Sequence, residues 1–191
     1  MKKQIYQIQV ALKDFKPKIW RRVLIPSETL LPDLHKIIQT AMGWTNSHLH
    51  QFIIDGTYYT EKTKDNYLWD ELDNVDYKKI KISDFLTTEK QKIKYEYDFG
   101  DGWEHDVILE KILEPDPKMK YPVCIAGKIS CPPEDCGGAW GYADMLEILK
   151  NPEHPEFQEF IDWLGDEFDP EEFDKDAVNE MLMAKNFGCF G

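Results

Sequence analysis

Apolar residues recur along this chain with two different periods. From Gln4 to Leu12, Ile5, Ile8 and Val10 alternate with polar neighbours, with one irregularity, as in a half-buried strand. Ile19 to Ile25 repeats the pattern beyond a turn at Asp14 to Pro17, and Pro26 ends it. The period then changes. Leu31, Leu34, Ile37, Ile38, Ala41 and Met42 fall on one face of a helix. Thr29 is its expected N-cap, Pro32 sits in its first turn and Gly43 stops it. His48 to Ile54 is strand-like, and Asp55-Gly56 turns it back into Thr57-Tyr58-Tyr59. Ile93, Tyr95, Tyr97 and Phe99 share a face. Across Gly100-Asp101-Gly102, the returning segment Trp103 to Ile112 places Trp103, His105, Val107 and Leu109 together.

Residues 61–91 are polar and mixed. They read as loops with a short strand near Lys79 to Ile82 and one helical turn at Ile82 to Leu86. Pro115, Pro117 and Pro122 mark a loop. Three helices follow: Ala139 to Lys150, Pro155 to Leu164, and a last one opened by Asp169-Pro170-Glu171-Glu172. The order strand, strand, helix, hairpin, hairpin, helices predicts an α+β fold. It has an antiparallel or mixed sheet and a C-terminal cluster of three helices. We expect a single domain over 1–191, with a sheet-rich core over 1–130 and a helical part over 131–191 packed on it.

Charge changes this picture. The 191 residues carry 23 Lys plus Arg against 36 Asp plus Glu, a formal net charge of -13. That total argues against a general nucleic-acid binder, since such proteins need a positive face. Yet residues 1–30 hold seven bases and two acids, a local charge of +5, which leaves -18 for the remainder. Glu153 to Glu180 holds twelve acids and one base. Both arginines of the chain, Arg21 and Arg22, are adjacent. They read as an internal clamp for acidic groups or as an anion site, because a guanidinium binds carboxylate or phosphate as a planar fork. No run of about 18 apolar residues exists to span a membrane. The first residues lack the apolar stretch of a signal peptide, so a cytoplasmic protein is expected.

Three clusters are candidates for chemistry. Cys124, Cys131 and Cys136 lie close in sequence but without a Cys-x-x-Cys pair. They read as buried thiols, as a structural zinc site needing a further ligand such as His105, or as a reactive thiol at Cys136 before a helix start. His48-Leu49-His50 would put two imidazoles on one strand face, packed or ligating. The third cluster, around one tight turn, gathers Asp98, Asp101, Trp103, Glu104 and His105. They read as a hairpin with solvated carboxylates and a core Trp, or, since this density of titratable groups exceeds what a hairpin requires, as a proton-transfer pair of Asp98 or Asp101 with His105, with a carboxylate also able to complete a metal site with the histidines. No GxGxxG, Walker A or GxSxG sequence is present.

Tyr97-Asp98-Phe99-Gly100-Asp101-Gly102-Trp103-Glu104-His105 and Cys131-Pro132-Pro133-Glu134-Asp135-Cys136-Gly137-Gly138 together resemble the two signatures of the plasmid pRiA open-reading-frame-three-like family. Pro17 to Arg22, Met42-Gly43-Trp44, His48 to Phe52, Gly141-Tyr142, Trp163 to Gly165 and Phe168 to Glu171 are similar to it as well. The resemblance implies an α+β domain carried on plasmids, mobile elements and chromosomes, some members of which bear the labels resolvase or repressor. It also implies a recognition or regulatory part, since relatives are fused to other modules.

The expected function is therefore a non-enzymatic interaction or regulatory module that meets a protein or small ligand. A metal-dependent, hydrolase-like enzyme using the His/Asp cluster is the alternative. Nucleic-acid binding through the basic N-terminal stretch is the second.

Overall fold

A computed structural model describes residues 3–62, 74–165 and 168–190. Eight strands form one sheet: β1 Ile5–Leu12, β2 Trp20–Pro26, β3 His50–Ile54, β4 Thr57–Thr60, β5 Asn74–Asp76, β6 Lys92–Tyr97, β7 Trp103–Leu113 and β8 Val123–Lys128. Their order is β5-β4-β3-β6-β7-β1-β2-β8. Every neighbouring pair is antiparallel except β4 with β5, so the sheet is mixed. Among the described residues, four α-helices complete the α+β fold: α1 Leu31–Met42, α2 Gly138–Leu149, α3 Phe157–Leu164 and α4 Lys175–Leu182.

Side-chain alternation divides the sheet into two faces. On β7, Trp103, His105, Val107 and Leu109 are buried, while Glu104, Asp106 and Ile108 between them, and Glu110 after them, are half-buried. The buried set continues through Ile8 and Val10 of β1, Val23 and Ile25 of β2, and Tyr95 of β6. Leu34, Ile37, Ile38 and Ala41 of α1 belong to the same core. The opposite face is polar. There Glu110 accepts from Gln7 at 2.7 Å and from Arg22 Nη2 at 2.7 Å. At the β3–β4 hairpin, Asp55 and Gly56 both have positive φ, 49° and 83°, as a two-residue primed turn requires.

Several sequence expectations shift. β8 follows the loop marked by Pro115, Pro117 and Pro122, and its short apolar run Val123–Ala126, set between prolines and cysteines, gives no strand signal of its own. The strand near Lys79 to Ile82 is only a bridge between Leu30 and Lys81, and residues 63–73 of the mixed region lie outside the described residues. Thr29 does not cap α1. Its hydroxyl donates to the Pro26 carbonyl at 2.7 Å, and Leu30 is the N-cap. The last helix starts at Lys175, capped by Asp174, whose carboxylate accepts from the Asp176 and Ala177 amides at 2.9 Å. The carbonyls of Asp169, Pro170 and Glu172 instead accept from Ser130, which holds that stretch as a turn.

The acidic C-terminal part does meet the basic second strand, but through apolar and amide contacts. Phe173 lies under the Arg21 guanidinium at 3.9 Å. Asn179 bonds both backbone groups of Cys124, at 2.7 and 2.9 Å. Alternation sends the two arginines to opposite faces. Arg22 forks onto Glu110 of β7, and Arg21 is buried beneath the C-terminal part. The two therefore form neither a joint clamp for the acidic helices nor an exposed basic patch.

Candidate functional site

Three segments meet at one end of the sheet. The first links α1 to β3. Trp44 stacks on Tyr97, ring centroids 5.0 Å apart, and donates from Nε1 to the Pro132 carbonyl at 2.9 Å. The amides of Ser47 and His48 donate to Tyr97 Oη at 3.0 and 3.3 Å. The second segment is the β6–β7 turn. Asp98 adopts a left-handed backbone, φ 55°, its amide donates to the Leu49 carbonyl at 2.8 Å, and its Oδ1 accepts from Gly100 at 3.0 Å. The third is the loop 131–137. Gly137 donates its amide to Asp101 Oδ2 at 3.2 Å, and Gly138 lies so close that a Cβ there would stand 2.5 Å from the Asp101 carbonyl oxygen.

This packing brings His48, Asp98 and Asp135 together, one ligand atom from each lying within 4.8 Å of the others. His48 Nδ1 is 3.6 Å from Asp98 Oδ2, and His48 Nε2 is 3.3 Å from Asp135 Oδ1. Neither contact has hydrogen-bond geometry, and buried Nε2 has no hydrogen-bond partner among the described residues. Asp98 is buried, whereas the Asp135 side chain is 73% exposed, so the group opens to solvent on one side. Asp135 shares the left-handed backbone, φ 60°. Both carboxylates thus sit in a conformation that Asp tolerates better than most residues, held there by the surrounding turns. One imidazole nitrogen and two carboxylate oxygens form a donor set suited to Zn²⁺, Mn²⁺ or Fe²⁺, with coordination positions left for water or a ligand.

Beside this group, Tyr97 Oη and Thr45 Oγ1 donate to Glu134, and the Thr45 amide donates to it at 2.9 Å. Burial raises the Glu134 carboxyl, but these hydrogen bonds outweigh it and hold the group below its ordinary range. Burial, and then the Glu134 charge, raises the Tyr97 phenol, which stays neutral.

The other sequence candidates lie elsewhere. β3 begins at His50, so His48 and His50 are not two positions of one strand face. His50 turns inward and stacks on His35 of α1, centroids 3.4 Å apart. His105 and Trp103 are in the core, and Glu104 pairs with Lys13 on the polar face. Asp101 braces the 131–137 loop. Cys124, Cys131, Cys136 and His105 do not gather as a ligand set among the described residues. Burial first, with Asp101 adding to it at Cys136, pushes the Cys131 and Cys136 thiols up to about 12, the reverse of an activated thiol. Asp135 stands outside the candidate His/Asp cluster, although the family-like motif concentrates it with Glu134 and Cys136. The available signal was its place just before Cys136-Gly137-Gly138, in a segment with two acids that no core needs.

Comparison with known proteins agrees with this architecture. A solved structure described as a protein of unknown function, MM3350 from Methanosarcina mazei Go1, superposes with a TM-score of 0.81 at 39% identity. It covers 92% of this chain and 97% of that one. The uncharacterized protein y4hQ of Sinorhizobium fredii (strain NBRC 101917 / NGR234) is 34% identical over 176 residues, 92% of this chain and 86% of that protein. Residues 4–177 match the plasmid pRiA4b ORF-3-like proteins, and the chain belongs to that family.

Proposed function

We propose that this chain is an interaction or regulatory module whose binding surface is organised by a divalent cation on His48, Asp98 and Asp135. One observation carries the reading: two carboxylates flank an imidazole whose buried Nε2 is without a hydrogen bond among the described residues. An unpaired buried nitrogen is costly unless something else occupies it. Two of these segments expose Leu49 and Phe99, at 71% and 49%, and Trp140 in the first turn of α2, directly after the third segment, is 86% exposed. Large apolar side chains at the rim of a polar site suit a partner surface. A bound cation would tie three segments that are distant in sequence and set the geometry of that rim.

Protein stripped of metal with a chelator and titrated with Zn²⁺ or Mn²⁺ is expected to gain about 2.7 kcal/mol at a hundredfold excess over Kd. That corresponds to a rise in Tm of roughly 5–10 °C, read by scanning fluorimetry. Asp135→Asn changes an exposed side chain, so its metal-free stability should stay within about 0.5 kcal/mol of the parent. Its affinity for metal should fall by about 100-fold or more, since even outer-sphere changes cost 10–100-fold. A Tm unmoved by millimolar metal would sink the reading, as would unchanged affinity in Asp135→Asn.

A metal-dependent hydrolase is the second reading, favoured by the Tyr97–Glu134 pair held beside the cluster. Turnover of a phosphoester, ester or peptide panel, abolished in Asp98→Asn, would put catalysis in place of recognition.

A further inference from the structure

Arg21 is only 2% exposed, yet it lines an open cavity of about 550 Å³ between the end of α1, the 130–134 segment, residues 163–164 and residues 168–178. A guanidinium offers five N–H donors. Nε donates to the Ala41 carbonyl at 2.9 Å, and Nη1 donates to those of Trp20 at 2.9 Å and Lys128 at 3.1 Å. Three donors are thereby used. The two on Nη2 have no partner among the described residues, and no carboxylate there lies within ion-pair distance of the group. A largely buried cation without a counter-charge is costly, and the Nη2 donors, facing the cavity, are free to meet an anion. Phe173 covers one face of the guanidinium, and Trp163 and Phe168 supply further aromatic wall.

The mouth of the same cavity has the opposite sign. Asp169, Glu172 and Asp174 line it and are exposed. Asp169 and Asp174 accept backbone amides of their own turns, whereas Glu172 has no side-chain partner among the described residues. A plain anion would reach Arg21 only past these acids, and a plain cation would meet Arg21 at the floor. A ligand carrying both charges satisfies both ends, and the volume lies in the range of small-molecule sites.

We propose that this cavity binds a small zwitterion of the α-amino-acid type, its carboxylate on Arg21 Nη2, its ammonium toward Glu172 and an apolar side group against Trp163 and Phe173. The cavity shares the 131–134 segment with the cation group, but His48, Asp98 and Asp135 do not line it.

Chelator-treated protein would be titrated calorimetrically with free leucine, phenylalanine and tryptophan, each beside its decarboxylated amine and its N-acetyl form. At least one zwitterion is expected to bind with a Kd below about 1 mM, and both of its truncated analogues at least about tenfold more weakly, each having lost a charge-assisted contact. Glu172→Gln, an exposed change, should weaken the zwitterion several-fold while leaving Tm in place. Arg21→Lys should abolish binding. If it also unfolds the protein, Glu172→Gln and Trp163→Ala still decide the matter. No heat from any zwitterion at millimolar concentration would overturn the assignment. N-acetyl analogues binding as tightly as their parents, or full affinity in Glu172→Gln, would do the same.

Discussion

Lowering the pH from 7.5 to 4.5 is expected to remove roughly 4 kcal/mol of stability, about 2 kcal/mol from each of two buried histidines. Burial lowers His35 and His105 from 6.5 to about 4. The hydrogen bonds around His35 require the neutral ring. Asn46 Oδ1 can only accept, so His35 Nε2 donates to it at 2.8 Å. Nδ1 is then the acceptor for Tyr95 Oη, which in turn accepts from Gln39 at 2.9 Å. His105 is fully buried, with Nε2 unpartnered among the described residues. A folded-state value below the unfolded one means that the unfolded chain binds more protons between pH 6.5 and 4. The stabilisation is therefore whole above pH 6.5 and is lost as pH falls through that window. His50, shifted down by burial and by His35, acts in the same direction. Urea denaturation across this range measures the effect. His105→Phe should remove about 2 kcal/mol of the pH dependence, and an unchanged pH profile in that variant would refute the assignment.

Gly141→Ala is expected to cost about 3 kcal/mol and to abolish cation binding as well. A Cβ at Gly141 would stand 1.9 Å from the Cys136 carbonyl oxygen, a backbone atom that can yield only if the 131–137 segment moves. That segment carries Glu134 and Asp135 and is seated on Asp101. Gly43→Ala separates local strain from displacement of the site. Gly43 has φ 94° with nothing within 4 Å of the added carbon, so it should cost about 1 kcal/mol and leave cation affinity alone. Chemical denaturation and metal titration on both variants check this. Equal metal affinity in Gly141→Ala and the parent would show that the loop packing does not set the site.

The candidate site was half legible. His48 and Asp98 stood out because titratable residues were crowded around turn glycines. Asp135 did not, because the chain separates it from Asp98 by the whole of β7 and β8. The bond from Gly137 to Asp101, the close approach at Gly138 and the hydrogen bond from Tyr97 to Glu134 bring the two turns together. His48 and His50 looked equivalent in sequence, two residues apart. The start of β3 at His50 sends one imidazole under α1 and leaves the other at the sheet end.

By itself the sequence determined the α+β class, the helix α1, the Asp55-Gly56 hairpin and the buried face of β6 and β7. These follow from local periodicity and turn chemistry, which act within a few residues. Tertiary structure alone decided the parallel pairing of β4 with β5, the addition of β8, the burial of Arg21 beneath Phe173 and the meeting of His48, Asp98 and Asp135. The physical reason is that alternation fixes which side of a strand a residue faces, whereas what covers that side is set by contacts between segments far apart in the chain.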